Sequence, residues 1–157
     1  VIGWINQYSN LVVLQTLSKA WGLAAARVGL AFASPEIISI MNKVKFPYNV
    51  GKPSMNIALS ALKQEEAMKA RVRETLETRG KLADDLENLP QVVKVYPSDA
   101  NYLLVKFKES QKVYRKLASN GIVVRDRGSQ PGCEGCLRIT VGTREEVEKL
   151  LNTLKQF

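Results

Sequence analysis

The sequence has no histidine, two cysteines and no apolar run approaching the roughly 18 residues of a membrane-spanning helix. Without histidine, these residues hold no histidine general base, no histidine-containing triad and no histidine metal ligand. Two cysteines do not make a disulfide framework. Cys133-Glu134-Gly135-Cys136 has Cys-x-x-Cys spacing, but one such pair without a second is poor ground for zinc, so no metal site is expected. A redox pair would be expected at a helix N-terminus, which this stretch lacks, and the two are read as free thiols. No basic segment followed by an apolar core resembles a secretory signal, and a reducing cytoplasm is the expected setting. With 10 Gly and 6 Pro in 157 residues, 45% of them hydrophobic and 24% charged, collagen-like and disordered readings are excluded.

The charge is unbalanced: 23 Lys and Arg against 15 Asp and Glu, a net +8. Such an excess suits anionic partners, either nucleic acid or a phosphorylated small molecule, and a solvated basic surface explains it equally well. Residues 1–63 hold six cations (Lys19, Arg27, Lys43, Lys45, Lys52, Lys63) and a single anion, Glu36. No run of five like charges exists, so a basic arm on a nucleic-acid backbone is not expected. Neither nucleic acid nor a membrane is an expected partner. The chain opens on Val1 with apolar residues at 1, 4, 5 and 8, like the last turns of an amphipathic helix. It therefore reads as a piece of something longer.

The apolar runs Leu11–Leu14 and Val28–Ala33 suit strands buried on both faces of a parallel sheet. Ser34-Pro35-Glu36 is a helix start. Residues 46–53, with two prolines and a glycine, form a loop. Helix is expected from Ser54 to Leu89, breaking at 63–66 or Gly80 and ending at Pro90. Strands are expected at Val92–Tyr96, Asn101–Phe107, Ile122–Val124 and Leu137–Val141. Helices are expected at Ser110–Ala118, stopped by Asn120-Gly121, and after a Thr143 cap. The fold class is thus α/β, with residues 1–63 one domain and 64–157 another.

Thr16-Leu17-Ser18-Lys19-Ala20-Trp21-Gly22-Leu23-Ala24-Ala25 carries the chemistry. Lys19 follows a buried strand in a turn of small residues, with hydroxyls just before it and Arg27 eight residues on. Desolvated and beside another cation, such a lysine becomes a Schiff-base nucleophile. Ser18 and Arg27 can together hold a phosphate, through a hydroxyl donor and a guanidinium fork. That combination suits pyridoxal phosphate. A lysine in a turn of this composition also suits a solvated loop.

The second constellation is Val124-Arg125-Asp126-Arg127, followed by Gly135-Cys136-Leu137-Arg138-Ile139-Thr140-Val141-Gly142-Thr143-Arg144-Glu145-Glu146. Arg138 lies inside an apolar strand and needs an anion. Asp126, Glu134 or Asp99 could supply it as a structural ion pair, or a substrate could.

The first segment resembles the cofactor-attachment site of class-II aminotransferases, T-hydrophobic-S-K-A-aromatic-G-x-x-A, at every position. The second is similar to the C-terminal end of the histidinol-phosphate aminotransferases. The resemblance implies the C-terminal part of a fold-type-I enzyme: a remnant of the large-domain sheet, then an α/β small domain. It implies pyridoxal 5'-phosphate held by Ser18, Lys19 and Arg27, with Lys19 catalytic. It implies substrate binding by Arg125 and Arg138, a phosphorylated substrate, glutamate as amino donor, and a homodimer in which Tyr48 lies near the neighbouring site. An interface aromatic is the plainer reading of Tyr48. The acidic partner of the pyridine nitrogen belongs upstream, so these residues alone are expected to be inactive. Other readings are a threonine-phosphate decarboxylase, an aromatic aminotransferase, or a non-catalytic basic domain.

Overall fold

The computed structural model describes residues 1–157, and their contacts divide the chain into two units, Val1–Arg71 and Val72–Phe157. In the first unit the apolar runs form β1 (Val13–Thr16) and β2 (Gly29–Phe32). They pair antiparallel, Val13 opposite Phe32 and Thr16 opposite Gly29, which corrects the expectation of a parallel sheet. They are also not buried on both faces: Leu14 is 72% exposed and Leu30 38% exposed. A two-stranded ribbon has no layer to cover its second face. The opening residues form a short 3-10 helix, Ile2–Asn6, rather than the end of an α-helix.

Helix α1 (Pro35–Val44) starts where Ser34-Pro35-Glu36 predicts, with Pro in its first turn. Helix α2 (Lys52–Leu62) is capped by Lys63, and α3 (Glu65–Glu87) follows after two residues. The expected break is therefore at 63–64. Gly80 lies within α3, where about 1 kcal/mol of helix propensity is too little to interrupt a 23-residue helix. Ala58 of α2 is buried, and α2 packs on the short 3-10 helix Ala24–Ala26.

The second unit is an antiparallel sheet in the order β3-β4-β6-β5, with β3 Val92–Tyr96, β4 Tyr102–Phe107, β5 Arg125–Asp126 and β6 Cys136–Thr140. Period-two alternation sorts its side chains by face. Val95, Leu103, Val105, Phe107, Leu137 and Ile139 are buried in one core with Leu82 and Leu86 of α3. Val113 and Leu117 of α4 (Ser110–Ser119) and Leu150, Leu151 and Leu154 of α5 (Arg144–Leu154) complete it. All these helices lie on one face, so the other face stays open to build a site.

Two local devices aim the elements. Helix α4 stops at Gly121, whose φ of 72° is left-handed; Ile122 N–H binds the Leu117 carbonyl and Gly121 N–H the Ala118 carbonyl. This pair of bonds is a Schellman stop. The strand expected at Ile122–Val124 is absent. Val124 is buried and Val123 89% exposed, but the ladder with β6 begins only at Arg125 opposite Arg138. At the end of β6, Thr143 caps α5. Its hydroxyl accepts from the Glu146 N–H at 3.3 Å, and the Glu146 carboxylate accepts from the Thr143 N–H at 2.8 Å.

A Cβ on Gly142 would collide with the Glu146 carboxylate that closes this box. Thr143→Ala is expected to cost about 1 kcal/mol, Gly142→Ala a similar amount, and the double variant less than the sum, because both break one device. Urea unfolding of the chain measures this; strict additivity would contradict it.

Candidate active-site residues

Ser18, Lys19 and Arg27 belong to the first unit, on the loop that leaves β1 and returns to β2. Leu17, buried, anchors it: its N–H binds the Val28 carbonyl at 3.3 Å and its carbonyl accepts from Leu23 N–H at 3.0 Å. Between these ties a tight turn runs from Lys19 to Gly22, whose N–H binds the Lys19 carbonyl at 2.8 Å. Gly22 has a φ of 69°, which the turn requires.

The Thr16 hydroxyl donates to Ser18 Oγ at 2.8 Å and accepts from the Ser18 N–H at 3.1 Å. The Ser18 hydroxyl proton is left to donate elsewhere. The Arg27 guanidinium spends one N–H on the Ala24 carbonyl, at 3.0 Å, and keeps the rest of its fork. Arg27 is also the one non-glycine residue with a positive φ, at 56°, a left-handed conformation that costs on the order of 1–3 kcal/mol. Strain of this kind persists where the surroundings over-determine it. Here Arg27 lies between the 3-10 helix Ala24–Ala26 and Val28, whose carbonyl is tied to the Leu17 N–H. A hydroxyl proton, a fork with free donors and a lysine amine on one loop fit the phosphate and the aldehyde of pyridoxal phosphate. Lys19 is exposed, however, so the desolvation that its sequence setting predicts is not supplied by residues of this chain.

Arg125 and Arg138 belong to the second unit, and the ladder places them directly opposite each other, on β5 and β6. Residues paired in this way share a face. It is the open face, since Leu137 and Ile139 on either side of Arg138 are buried beneath the helices. Neither arginine has a carboxylate partner. The structural ion pairs considered for Arg138 are thus not made. Asp126 pairs with Leu137 and so lies on the opposite face, where Gln111 of α4 and the Gly128 N–H bind its carboxylate. Glu134 accepts from the Gly132 N–H instead, at 3.1 Å. Arg138 Nε is buried without a hydrogen-bond partner, an orphan of the kind that marks an absent acceptor. The Arg138 guanidinium lies over the Tyr102 ring, 5.0 Å from its centroid. Tyr102 is thus a neighbour of a candidate residue that the sequence pattern did not single out. Alternation places it on the outer face, but its nearness to Arg138 depends on a register that only the structure supplies.

Tyr48 is 88% exposed on the loop between α1 and α2 and meets none of the other candidates. Cys133 and Cys136 are free thiols, the second buried. Burial, first, and the Cys133 thiol, second, push the Cys136 thiol above its usual range.

The pattern of aminotransferase class I and II matches residues 1–154, so the chain belongs to that family. Within it, the curated relatives are more specific. The histidinol-phosphate aminotransferase of Parabacteroides distasonis is 50% identical over 153 residues, 98% of this chain and 44% of the relative. That of Flavobacterium psychrophilum is 46% identical over 96% of this chain and 43% of the relative. The solved histidinol-phosphate aminotransferase of Clostridium acetobutylicum shares the fold, with a TM-score of 0.88 at 21% identity, over 99% of this chain and 48% of that one. The chain thus spans less than half the length of the relatives it matches.

The Gly128 N–H and then the Gln111 amide hold the Asp126 carboxyl below its ordinary 3.8. A depressed carboxyl contributes stability that is fully present above the ordinary value and is lost as pH falls through the lower one. In an NMR titration Asp126 is expected to ionise below 3.8, and Gln111→Ala to move its midpoint back up. A midpoint unmoved by Gln111→Ala would contradict the assignment.

Proposed function

We propose that the chain is the C-terminal part of a pyridoxal-phosphate-dependent transaminase that acts on histidinol phosphate. The intact enzyme moves an amino group between glutamate and imidazole-acetol phosphate. The observation that carries the phosphate reading is the opposed Arg125–Arg138 pair. Two guanidinium groups stand on one face with no carboxylate between them, in a chain 50% identical to a histidinol-phosphate aminotransferase. A phosphate dianion engages two forks, whereas a carboxylate is satisfied by one.

On this reading residues 1–63 belong to a larger sheet-bearing domain, which the apolar surface of Leu14 and Leu30 supports. Residues 64–157 form the small domain. The Ser18 hydroxyl and the free donors of Arg27 hold the cofactor's phosphate, and Lys19 Nζ is its point of attachment. Bound pyridoxal phosphate supplies an electron sink for the pair released when the substrate's C–H bond breaks. Lys19 Nζ takes the proton from that carbon and later returns one. Arg125 and Arg138 hold the phosphate end of the substrate, and Arg138 alone holds glutamate's carboxylate in the other half-reaction. The enzyme works as a cytoplasmic homodimer, with Tyr48 reaching toward the neighbouring copy. A threonine-phosphate decarboxylase or an aromatic aminotransferase remains the second reading. The aromatic aminotransferase is favoured if Arg138 binds a carboxylate in both halves of the reaction, and the decarboxylase, which has no amino-donor half, if glutamate is not a substrate.

In the full-length enzyme Lys19→Ala is expected to abolish the visible absorbance of the lysine-linked cofactor. A borohydride-reducible adduct on another lysine would refute this. Arg125→Ala is expected to lower kcat/KM for histidinol phosphate roughly ten- to more than a hundredfold, the loss of a charge-assisted contact, and to leave glutamate far less affected. Equal losses for both would make Arg125 structural and move the reading to an unphosphorylated substrate. The 157-residue chain by itself is expected to show no turnover; activity near that of a full-length relative would contradict the reading of a partial enzyme.

A further inference from the structure

We infer that Tyr102 is a positioning residue for Arg138: its ring is the shelf on which the guanidinium rests, face down, with its N–H edge turned to an anion. The inference rests on the phosphate reading of Arg125 and Arg138 and adds a residue that touches no reacting atom.

The ladder shows why a shelf is needed. Arg138 is opposed by Leu104 on β4 and by Arg125 on β5. Leucine offers no acceptor, and a like charge directly opposite is repulsive. Nε is buried with no partner. In the absence of a ligand, neither lateral neighbour attracts the guanidinium. Tyr102, opposite Thr140, is the diagonal neighbour of Arg138 on the same face, within reach of an aromatic ring. The Arg138 Cζ lies over that ring at 5.0 Å. The negative face of an aromatic ring attracts a guanidinium lying flat on it. Such stacking uses the plane of the group and leaves its in-plane donors for a phosphate.

The shelf is itself held. The Tyr102 carbonyl accepts from the Ser98 hydroxyl at 2.6 Å, and the Ser98 hydroxyl oxygen accepts in turn from the Ala100 N–H at 3.1 Å. The Arg79 guanidinium of α3 ties the Ala100 carbonyl at 2.7 Å. The start of β4 is thereby fixed to a helix of the core rather than left as a free corner. A rigid ring under a mobile side chain lowers the entropy that the side chain loses when a ligand binds.

The test uses the 157-residue chain, which contains Tyr102, Arg125 and Arg138 within one unit, with inorganic phosphate as probe and the arginine Nε–H signals as readout. In the unaltered chain and in Tyr102→Phe, the Arg138 Nε–H signal is expected to carry an aromatic ring-current shift. Phosphate affinity is expected to be unchanged by Tyr102→Phe and roughly three- to tenfold weaker in Tyr102→Leu. An Arg138 signal without a ring-current shift in the unaltered chain would overturn the inference, even if Tyr102→Leu fails to fold. So would a folded Tyr102→Leu that binds phosphate like the unaltered chain. Arg125→Ala separates the two levels. If it binds phosphate undiminished, the phosphate reading itself falls. If it weakens binding while Tyr102→Leu does not, only the role of Tyr102 falls.

Discussion

Everything proposed for the second unit depends on the alternation of five residues, Cys136–Thr140. Leu137 and Ile139 are driven under the helices, where full burial of each side chain stabilises the fold by about 1.5–3 kcal/mol. A strand has only two faces, so that burial forces Arg138 onto the open one. A slip of one residue would put the charge in the core and both apolar residues in water. The same register brings Arg125 opposite Arg138 and turns Asp126 away to α4. Neither arginine is chosen by its own chemistry to meet the other. The core makes that choice, and the charge pair is its by-product on the outer face.

In the first unit, backbone geometry rather than burial shapes the loop that holds the candidate residues. Buried Leu17 stitches the start of the loop to Val28, and a residue that must then turn left-handed is Arg27 rather than glycine. A glycine there would relieve strain but bring no donors. A strained arginine on the same loop as Ser18 and Lys19 is in keeping with the proposed phosphate cradle.

The helices were legible because their signals are local. Ser34-Pro35-Glu36, Asn120-Gly121 and the Thr143–Glu146 box each set an end within a residue or two. Strands β3, β4 and β6 were legible from alternation and apolar content. What could not be read was pairing. The antiparallel sense of β1 and β2 comes from partners distant in sequence, and an apolar run looks alike in either sense. The short β5 was misplaced by three residues for the same reason. Val124 fills the core as a strand residue does, but pairing begins at Arg125. Ser18, Lys19, Arg27, Arg125 and Arg138 stood out by residue type in unusual company. Tyr102 did not, because an aromatic alternating in a strand reads as ordinary packing until the cross-strand neighbour is known.

The central claim is that Arg125 and Arg138 form one site for a phosphate dianion. A phosphate monoester held by two guanidinium groups keeps its second proton less tightly than in water, where that ionisation lies near about 6. The direct measurement is a phosphorus NMR titration of histidinol phosphate bound to the full-length protein. The account predicts that the bound ester's second ionisation falls well below its value in free solution and returns toward it in Arg125→Ala. A bound ester that titrates as it does in water, with or without Arg125, would contradict the account.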